Sequence, residues 1–176
     1  MTRYQSHYLR TGLVLYPSQQ EVIDKMLQKL AQQIPAQFVL LTDVTGQVVS
    51  SKGAQENIDL VALGSLVAGD LAASHEIARQ TRQYQADQMV FREGDTINTF
   101  TCEAGFHLAL LVQASTEVPM GWARMAIRKT IQVLAEITTQ PPMEKTQSSD
   151  TSPELTLQQD DLPDLFSDAL DDLWLE

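Results

Sequence analysis

A helical apolar period that stops at a proline and gives way to an unbroken apolar run constrains this chain more than any other feature. Ile23, Leu27, Leu30 and Ile34 recur at helical spacing behind Ser18-Gln-Gln-Glu21, which reads as a capping box. Pro35 ends that helix. Gln37–Val44 holds an uninterrupted apolar stretch, Phe38–Leu41, as in a strand buried on both faces. Asp43-Val-Thr-Gly46 supplies turn chemistry, and Gln47–Ser51 returns as a second strand. Asn57 is placed to cap the next helix, Ile58 to Thr81, with Asp59 in its first turn. Met89–Arg92, Glu93-Gly94-Asp95 and Thr96–Cys102 read as a hairpin. Phe106–Ala114 follows as another strand after Ala104-Gly105. A last helix begins near Pro119 and runs to about Thr138, with Trp122, Met125, Ile131, Leu134 and Ile137 supplying much of its apolar face. The predicted order is α-β-β-α-β-β-β-α. Three consecutive hairpin-linked strands favour a mixed α/β (α+β) fold, a five-stranded antiparallel sheet with helices on both faces.

Charge divides the chain. Residues 140–176 hold ten acids against the single base Lys145, which accounts for −9 of the net −11. Residues 1–139 are close to neutral. Gln140-Pro-Pro142 stops the preceding helix. The polar run to Asp161 has too few apolar residues to offset its chain entropy. The expected organisation is a domain over 1–139, a disordered linker over 140–161 and an acidic amphipathic motif over 162–176. In that motif Leu162, Leu165, Phe166, Ala169, Leu170, Leu173 and Trp174 keep helical spacing, opposite Asp160, Asp161, Asp164, Asp168, Asp171 and Asp172. A helix of about 13 residues is marginal alone, so the segment is expected to order against a basic-rimmed protein groove. Its acidic face argues against an anionic membrane.

Several function classes lose support. The chain has no Lys/Arg cluster of the kind that phosphate contacts require, so nucleic acid is not an expected partner. No apolar run approaches the roughly 20 residues of a membrane helix. The N-terminus lacks the apolar core of a secretory leader, and the lone cysteine, Cys102, forms no intrachain disulfide; a reducing, cytoplasmic location is expected. Phosphate-loop, nucleophile-elbow and zinc-protease motifs are absent. His7, His75 and His107 lack metal-ligand spacing, and His107 reads as a structural strand residue. Cys102 reads as a small core filler. Asp87, Glu93 and Asp95 read as a solvated hairpin rim rather than an acid/base pair. Arg79 and Arg82 suit a helix C-terminus as well as they suit a finger for a partner's phosphoryl transfer.

Two features remain. The tail motif is one. The other is helix 58–81, where Ala62, Gly64, Ser65, Ala68, Gly69, Ala72, Ala73 and Ala78 leave little bulk on any side. An interior glycine costs roughly 0.5–1 kcal/mol relative to alanine. Gly64 and Gly69 therefore imply that another backbone comes close: the sheet beneath, a second helix or a partner protein. Ser65, Ala68, Ala72 and Glu76 fall on one stripe.

These strings resemble the Roadblock/LC7 family, and within it the bacterial MglB-type branch. The resemblance rests on FVLLTDVTGQVVSS at Phe38–Ser51, Asn-Ile-Asp at Asn57–Asp59 and SLVAGDLAAS at Ser65–Ser74. Gly121-Trp-Ala-Arg124 with Ile127-Arg-Lys129 adds to it. It covers about residues 13–138 and, more loosely, the tail. The resemblance implies the Roadblock/LC7 fold and a homodimer, with the third strand pairing across the two-fold and the small-residue helices side by side. Gly69, Ala73, Met89 and Phe91 would then lie at the dimer interface. It implies binding to a small Ras-like GTPase of the MglA type and acceleration of that partner's GTP hydrolysis, without a catalytic site, cofactor or metal of its own. Ser65, Ala68, Ala72 and Glu76 would contact the GTPase. Leu162, Leu165, Phe166, Leu170, Leu173 and Trp174 would dock on a distant face of it and promote nucleotide exchange. A scaffold of the same family with no effect on GTP turnover is the alternative. Glu76 departs from the pattern, which has a small residue there.

Overall fold

The computed structural model describes residues 6–54, 57–83 and 88–139, all within one unit, Met1–Met143. The main elements follow the expected order: α1 (Pro17–Gln33), β3 (Ala36–Asp43), β4 (Val48–Gly53), α2 (Leu60–Gln80), β5 (Met89–Arg92), β6 (Ile97–Ala104), β7 (Leu108–Ser115) and α3 (Met120–Thr139). A short antiparallel ribbon, β1 (His7–Tyr8) and β2 (Val14–Leu15), precedes them and was not expected from the sequence. The five long strands form one antiparallel sheet in the order β4-β3-β7-β6-β5.

The sheet is central because its middle strands are apolar on both faces. In β3, Val39 and Leu41 enter the core beneath α1 and α3, while Phe38 and Leu40 face α2. In β7, Leu108, Leu110 and Val112 take the first side and Ala109 and Leu111 the second. Alternation with apolar residues on both sides is what a strand between two helical layers requires. Leu40 pairs with Leu111, and Phe100 of β6 pairs with Val112.

Two helix starts differ from expectation. Pro17 takes the first position of α1, where its fixed φ is pre-organised and its missing N–H costs nothing. Tyr16 is therefore the cap residue, and its N–H donates to Gln19 Oε1 at 3.0 Å. Ser18 lies inside the first turn and caps nothing. At α2 the cap is Asp59, not Asn57: its carboxylate accepts from Val61 N at 3.0 Å and Ala62 N at 3.1 Å. Asn57 instead takes a left-handed φ of 64°, which asparagine tolerates, and turns the chain into the cap.

The β3–β4 turn is built on Asp43, whose Oδ1 accepts from Thr45 N, Thr45 Oγ1 and Gln47 N at 2.7–2.9 Å. The strand after the β6–β7 turn starts at Leu108. His107 is thus an exposed turn residue, not a strand residue; its carbonyl accepts from Val44 N at 3.0 Å. Phe106 in the same turn is also exposed.

Candidate protein-docking face

The three helices bury their apolar residues unequally. α1 and α3 bury most of theirs against the sheet, though Val22 of α1 and Met120, Trp122 and Met125 of α3 are exposed. α2 carries apolar residues on both sides, and one side of it is uncovered among the described residues. Gly64, Val67, Leu71 and Ala78 face the sheet and are buried. Opposite them Val61, Ala62, Ser65, Leu66, Gly69, Ala72, Ala73 and Ile77 are exposed. Val61 is 73% exposed, Leu66 69% and Ile77 64%. Large aliphatic side chains left this open on one helix mark a surface made for contact.

The two interior glycines have different causes. A Cβ on Gly64 would sit 2.3 Å from the Gly46 carbonyl oxygen, so the β3–β4 turn presses directly on the helix. Gly46 itself holds φ 92°, and a side chain there would meet Gly64 and Ser65 at 2.8–2.9 Å. These two glycines satisfy the molecule's own packing. Gly69 lies near the middle of the exposed side, and a Cβ there would meet nothing within 4 Å. Nothing among the described residues explains its smallness.

Ser65, Ala72, Gly69 and Ala73 are all on this exposed side, with Ala68 and Glu76 half-buried at its margin. Helical spacing resolves them into two adjacent lines. Val61, Ser65, Ala68, Ala72 and Glu76 form one. Leu66, Gly69, Ala73 and Ile77 form the other. The sequence reading missed Val61, Leu66 and Ile77. Their spacing from Ala68, Ala72 and Ala73 was visible, but a bulky apolar residue in a helix reads as core until the sheet's position is known.

Glu76 is not a free charge. Its carboxylate accepts from Arg79 at 2.7 and 2.9 Å and from Gln80 at 2.7 Å. Those bonds hold Glu76 below the usual carboxylate range and raise Arg79 above its own. Arg79 is thereby folded back along α2. Arg82 sits just past the helix end at φ 57°, where Gln83 N donates to Ala78 O and Arg82 N to Arg79 O, a Schellman closure with arginine in the usual glycine place.

α2 is tied to the sheet by two side-chain pairs. Asp70 takes a two-pronged ion pair from Arg92 on β5, one contact being 2.8 Å, which holds the Arg92 guanidinium above its ordinary value. His75 Nδ1 lies 3.4 Å from Glu103 Oε1 of β6.

Strand β5 is an outer strand, bonded only to β6 among the described residues. Met89 and Phe91 are half-buried against the α1/α3 core, and Phe91 packs on Phe100 with ring centres 5.1 Å apart. Their outer backbone edge is unpaired among the described residues, a state that folded proteins normally manage by covering or pairing the strand. The opposite outer strand, β4, is tied down: Gln20 Nε2 donates to Val49 O at 3.2 Å, and Asp24 receives Ser50 Oγ and Lys52 Nζ.

The other candidate centres do not assemble. Cys102 is fully buried with Sγ 3.8 Å from Leu110 O, as a core filler would be. Glu93 and Asp95 are exposed on the hairpin, and Asp87 lies outside the described residues. Among the described residues no group of three His, Cys, Asp or Glu is placed to hold a metal. Leu162, Leu165, Phe166, Leu170, Leu173 and Trp174 also lie outside them.

One further property of α2 departs from the sequence reading. It is long and apolar enough to cross a membrane by length and composition, with mean hydropathy 1.3 and 17% of that stretch buried. Small residues raise the mean without forming an apolar run. Asp70 interrupts the helix midway and is ion-paired to the sheet, so the apolar exposed side belongs to a helix anchored in a packed α/β domain.

No family model matches the chain, and no curated protein matches it. Solved structures do. Myxococcus xanthus MglB is 29% identical, with a TM-score of 0.62, over 66% of this chain and 94% of that one. An MglB in a tetrameric arrangement is 26% identical, with a TM-score of 0.64, over 72% and 94%. A Roadblock/LC7 domain from Streptomyces avermitilis shares the fold at 18% identity and a TM-score of 0.58, over 64% and 94%. The chain has the Roadblock/LC7 fold and is similar to MglB structures at 26–29% identity. The exposed side of α2 and the bare edge of β5 are thus features of a Roadblock/LC7 sheet whose opposite face is closed.

Proposed function

We propose that this protein is a homodimeric regulator of a small Ras-like GTPase of the MglA type, without a catalytic centre of its own. The observation that carries the reading is the exposed side of α2. It holds an open-space glycine among large exposed aliphatics, which is costly in a lone protomer and useful under a partner. In this reading the line of Gly69 and Ala73 faces the α2 of a second copy, and β5, with Met89 and Phe91, pairs edge to edge across the two-fold. A bare outer strand in line with an apolar helix side supports that arrangement. The line of Ser65, Ala68, Ala72 and Glu76 then remains for the GTPase. The domain over 1–139 carries both contacts. The linker over 140–161 and the motif over 162–176 add a second contact with the GTPase that tunes nucleotide exchange. A cytoplasmic location accompanies this function.

Glu76 favours one rival, a scaffold with no effect on turnover, because a carboxylate occupies a line otherwise made of small residues. Its bonds to Arg79 and Gln80 keep it low on the helix and leave room for a partner, so we place regulation first. The test is Ala72→Arg. It is expected to abolish co-elution with the GTP-loaded GTPase while the mass by sedimentation stays that of a dimer. Undiminished co-elution overturns the assignment of the stripe, and a monomeric mass for the unmodified protein overturns the dimer. GTP turnover of the partner, measured with and without this protein, separates regulator from scaffold.

A further inference from the structure

The outer face of the α1/α3 layer has no part in that reading. The two helices run antiparallel. Gln19 Nε2 of α1 donates to Ile137 O of α3 at 2.7 Å, and at the other end Trp122 Nε1 of α3 donates to Gln33 O of α1 at 3.3 Å. Charge is divided between these ends. Arg124, Arg128 and Lys129 of α3 and Lys29 of α1 lie in the half nearer Trp122, with Lys25 at the middle. Glu21 and Glu136 lie near the Gln19 end, and Asp24 is taken by Ser50 and Lys52. Arg124 and Arg128 are exposed one helical turn apart, a like-charge spacing that weakens a helix. Neither they nor Lys25 and Lys29 make an ion pair or side-chain hydrogen bond among the described residues. Glu93, Asp95 and Glu117 belong to turns at the strand ends and pair with neither arginine. Met120, Trp122 and Met125 are exposed at the same end as the cations.

We propose that this end of the α1/α3 layer rests on an anionic lipid surface. Charge argues for it: unpaired arginines and lysines from two helices gather where the layer's own acids are not, and phosphate or carboxylate headgroups would satisfy them. The apolar residues argue for it as well. Trp122 has its indole N–H held on Gln33 O and its ring partly open to solvent, the arrangement that suits a tryptophan to a membrane–water boundary. The long stems of Arg124, Arg128 and Lys29 lie along apolar surface while their heads reach outward. Shape separates lipid from a bound peptide. The depression beside Gly121, Met125 and Arg128 is shallow and walled by α3 alone, whereas a peptide helix needs a groove with two sides. The chain as a whole carries −11, so an anionic surface has no general attraction for it. At physiological ionic strength charges beyond about 8 Å are screened, so a local cluster decides. One protomer carries the whole patch, and the proposal therefore needs neither the GTPase nor the dimer. Where β5 pairs across a two-fold as proposed above, the same faces of both sheets lie on one side, and the dimer sets two patches together, opposite α2.

The experiment is sedimentation of the full chain, without the GTPase, with vesicles in which about a third of the lipid is phosphatidylserine and the rest phosphatidylcholine. The protein is expected to pellet with these vesicles, to stay in the supernatant with pure phosphatidylcholine, and to be released as salt rises. Arg124→Gln/Arg128→Gln should lower the partition coefficient roughly thirty-fold, with an unchanged denaturation midpoint as the check on folding. Arg124→Lys/Arg128→Lys should keep most of the binding, since a headgroup layer asks for charge rather than a fixed fork. Arg10→Gln/Arg82→Gln removes the same charge from exposed positions elsewhere and should leave binding unchanged. No pelleting, equal pelleting with both vesicle types, or an equal loss from the Arg10/Arg82 pair overturns the proposal. Failure to pellet combined with retention on immobilised polyglutamate, lost in Arg124→Gln/Arg128→Gln, also overturns it and makes the patch a site for an acidic protein. The mass of the protein in solution, read separately, reports on the dimer and leaves these outcomes unaffected.

Discussion

The two faces of the sheet are built to different ends. Beneath α1 and α3, twenty buried residues form one continuous core among the described residues; beneath α2, six do. The strands between them are the same strands, with Leu110 pointing one way and Leu111 the other. What differs is the helix. α1 and α3 put most of their apolar residues where the sheet is. α2 puts Val67 and Leu71 there and leaves Val61, Leu66 and Ile77 exposed on the side that faces away. One face stabilises the protomer, and on the other much of the helix's apolar surface stays exposed.

The largest expected effect tests this contrast directly. Leu110→Ala opens a cavity in the thick core and should lower stability by about 2–5 kcal/mol. Leu66→Ala removes a side chain of the same size from the exposed side of α2 and should change protomer stability by under about 0.5 kcal/mol. Chemical denaturation at one fixed protomer concentration compares them, because a dimer's midpoint moves with concentration. Repeating it over a range of concentrations sharpens the comparison: Leu66→Ala should weaken the concentration dependence, and Leu110→Ala should not. Equal losses at all concentrations would break the division between the faces.

The glycines of α2 come next. Gly64→Ala drives a Cβ into the Gly46 carbonyl, so the turn or the helix must move. The expected net cost is about 1–3 kcal/mol, despite alanine's better helix propensity. Gly69→Ala meets open space and should stabilise the isolated protomer by about 0.5–1 kcal/mol. Across an association interface the sign reverses, and Gly69→Ala should raise the dimer dissociation constant, as read by sedimentation. A Gly69→Ala form that is more stable and equally dimeric would remove the main evidence that α2 is approached from outside.

Most of the fold was legible in the sequence, and the reasons lie in particular elements. β3 and β7 read as doubly buried strands because each holds an unbroken apolar run, Phe38–Leu41 and Leu108–Val112. The switch from helical spacing at Ile34 to that run needed only Pro35. Helix starts were harder. Asn57, Asp59, Ser18 and Pro17 all suit a first turn, and which one caps depends on where the preceding chain enters. The docking side of α2 was half legible. Its small residues stood out, but Val61, Leu66 and Ile77 were indistinguishable from core. Gly64 and Gly69 looked alike until the turn at Gly46 was placed against one and nothing against the other. His107 was misplaced by two residues' error in a strand start, enough to turn a strand side chain into an exposed one.

A smaller effect is expected at the end of α2. Arg82 holds a left-handed φ of 57° in the Schellman closure, where glycine has no Cβ penalty. Arg82→Gly should therefore stabilise the protomer by up to about 1 kcal/mol, the left-handed cost offset in part by glycine's greater freedom when unfolded. The residue lies beyond the docking line, so dimer mass and GTPase co-elution should be unchanged. A gain in stability with a loss of co-elution would instead place Arg82 in the partner contact and extend the docking side past Thr81.

The smallest effect lies on the closed side, where Asp24 ties α1 to β4. Burial pushes this carboxyl up, but the hydrogen bond from Ser50, the pair with Lys52 and the bond from Gln20 together outweigh it and hold it below its ordinary value. A carboxyl depressed in the folded state contributes stability that is complete above its unfolded value of about 3.9. That contribution is lost as pH falls through the lower folded value. The group is partly exposed and solvent-screened, so the contribution is at most about 0.5–1 kcal/mol. Asp24→Asn should leave a slightly less stable protein at pH 7 and a shallower loss of stability below about pH 4. No matching change is expected from neutralising Glu76, whose bonds lie within one turn of an exposed helix and tie no two elements together. If Glu76→Gln flattened the acid limb as much as Asp24→Asn, the exposed side of α2 would be contributing to the fold of the protomer, and the contrast between the two faces would fail at its weakest point.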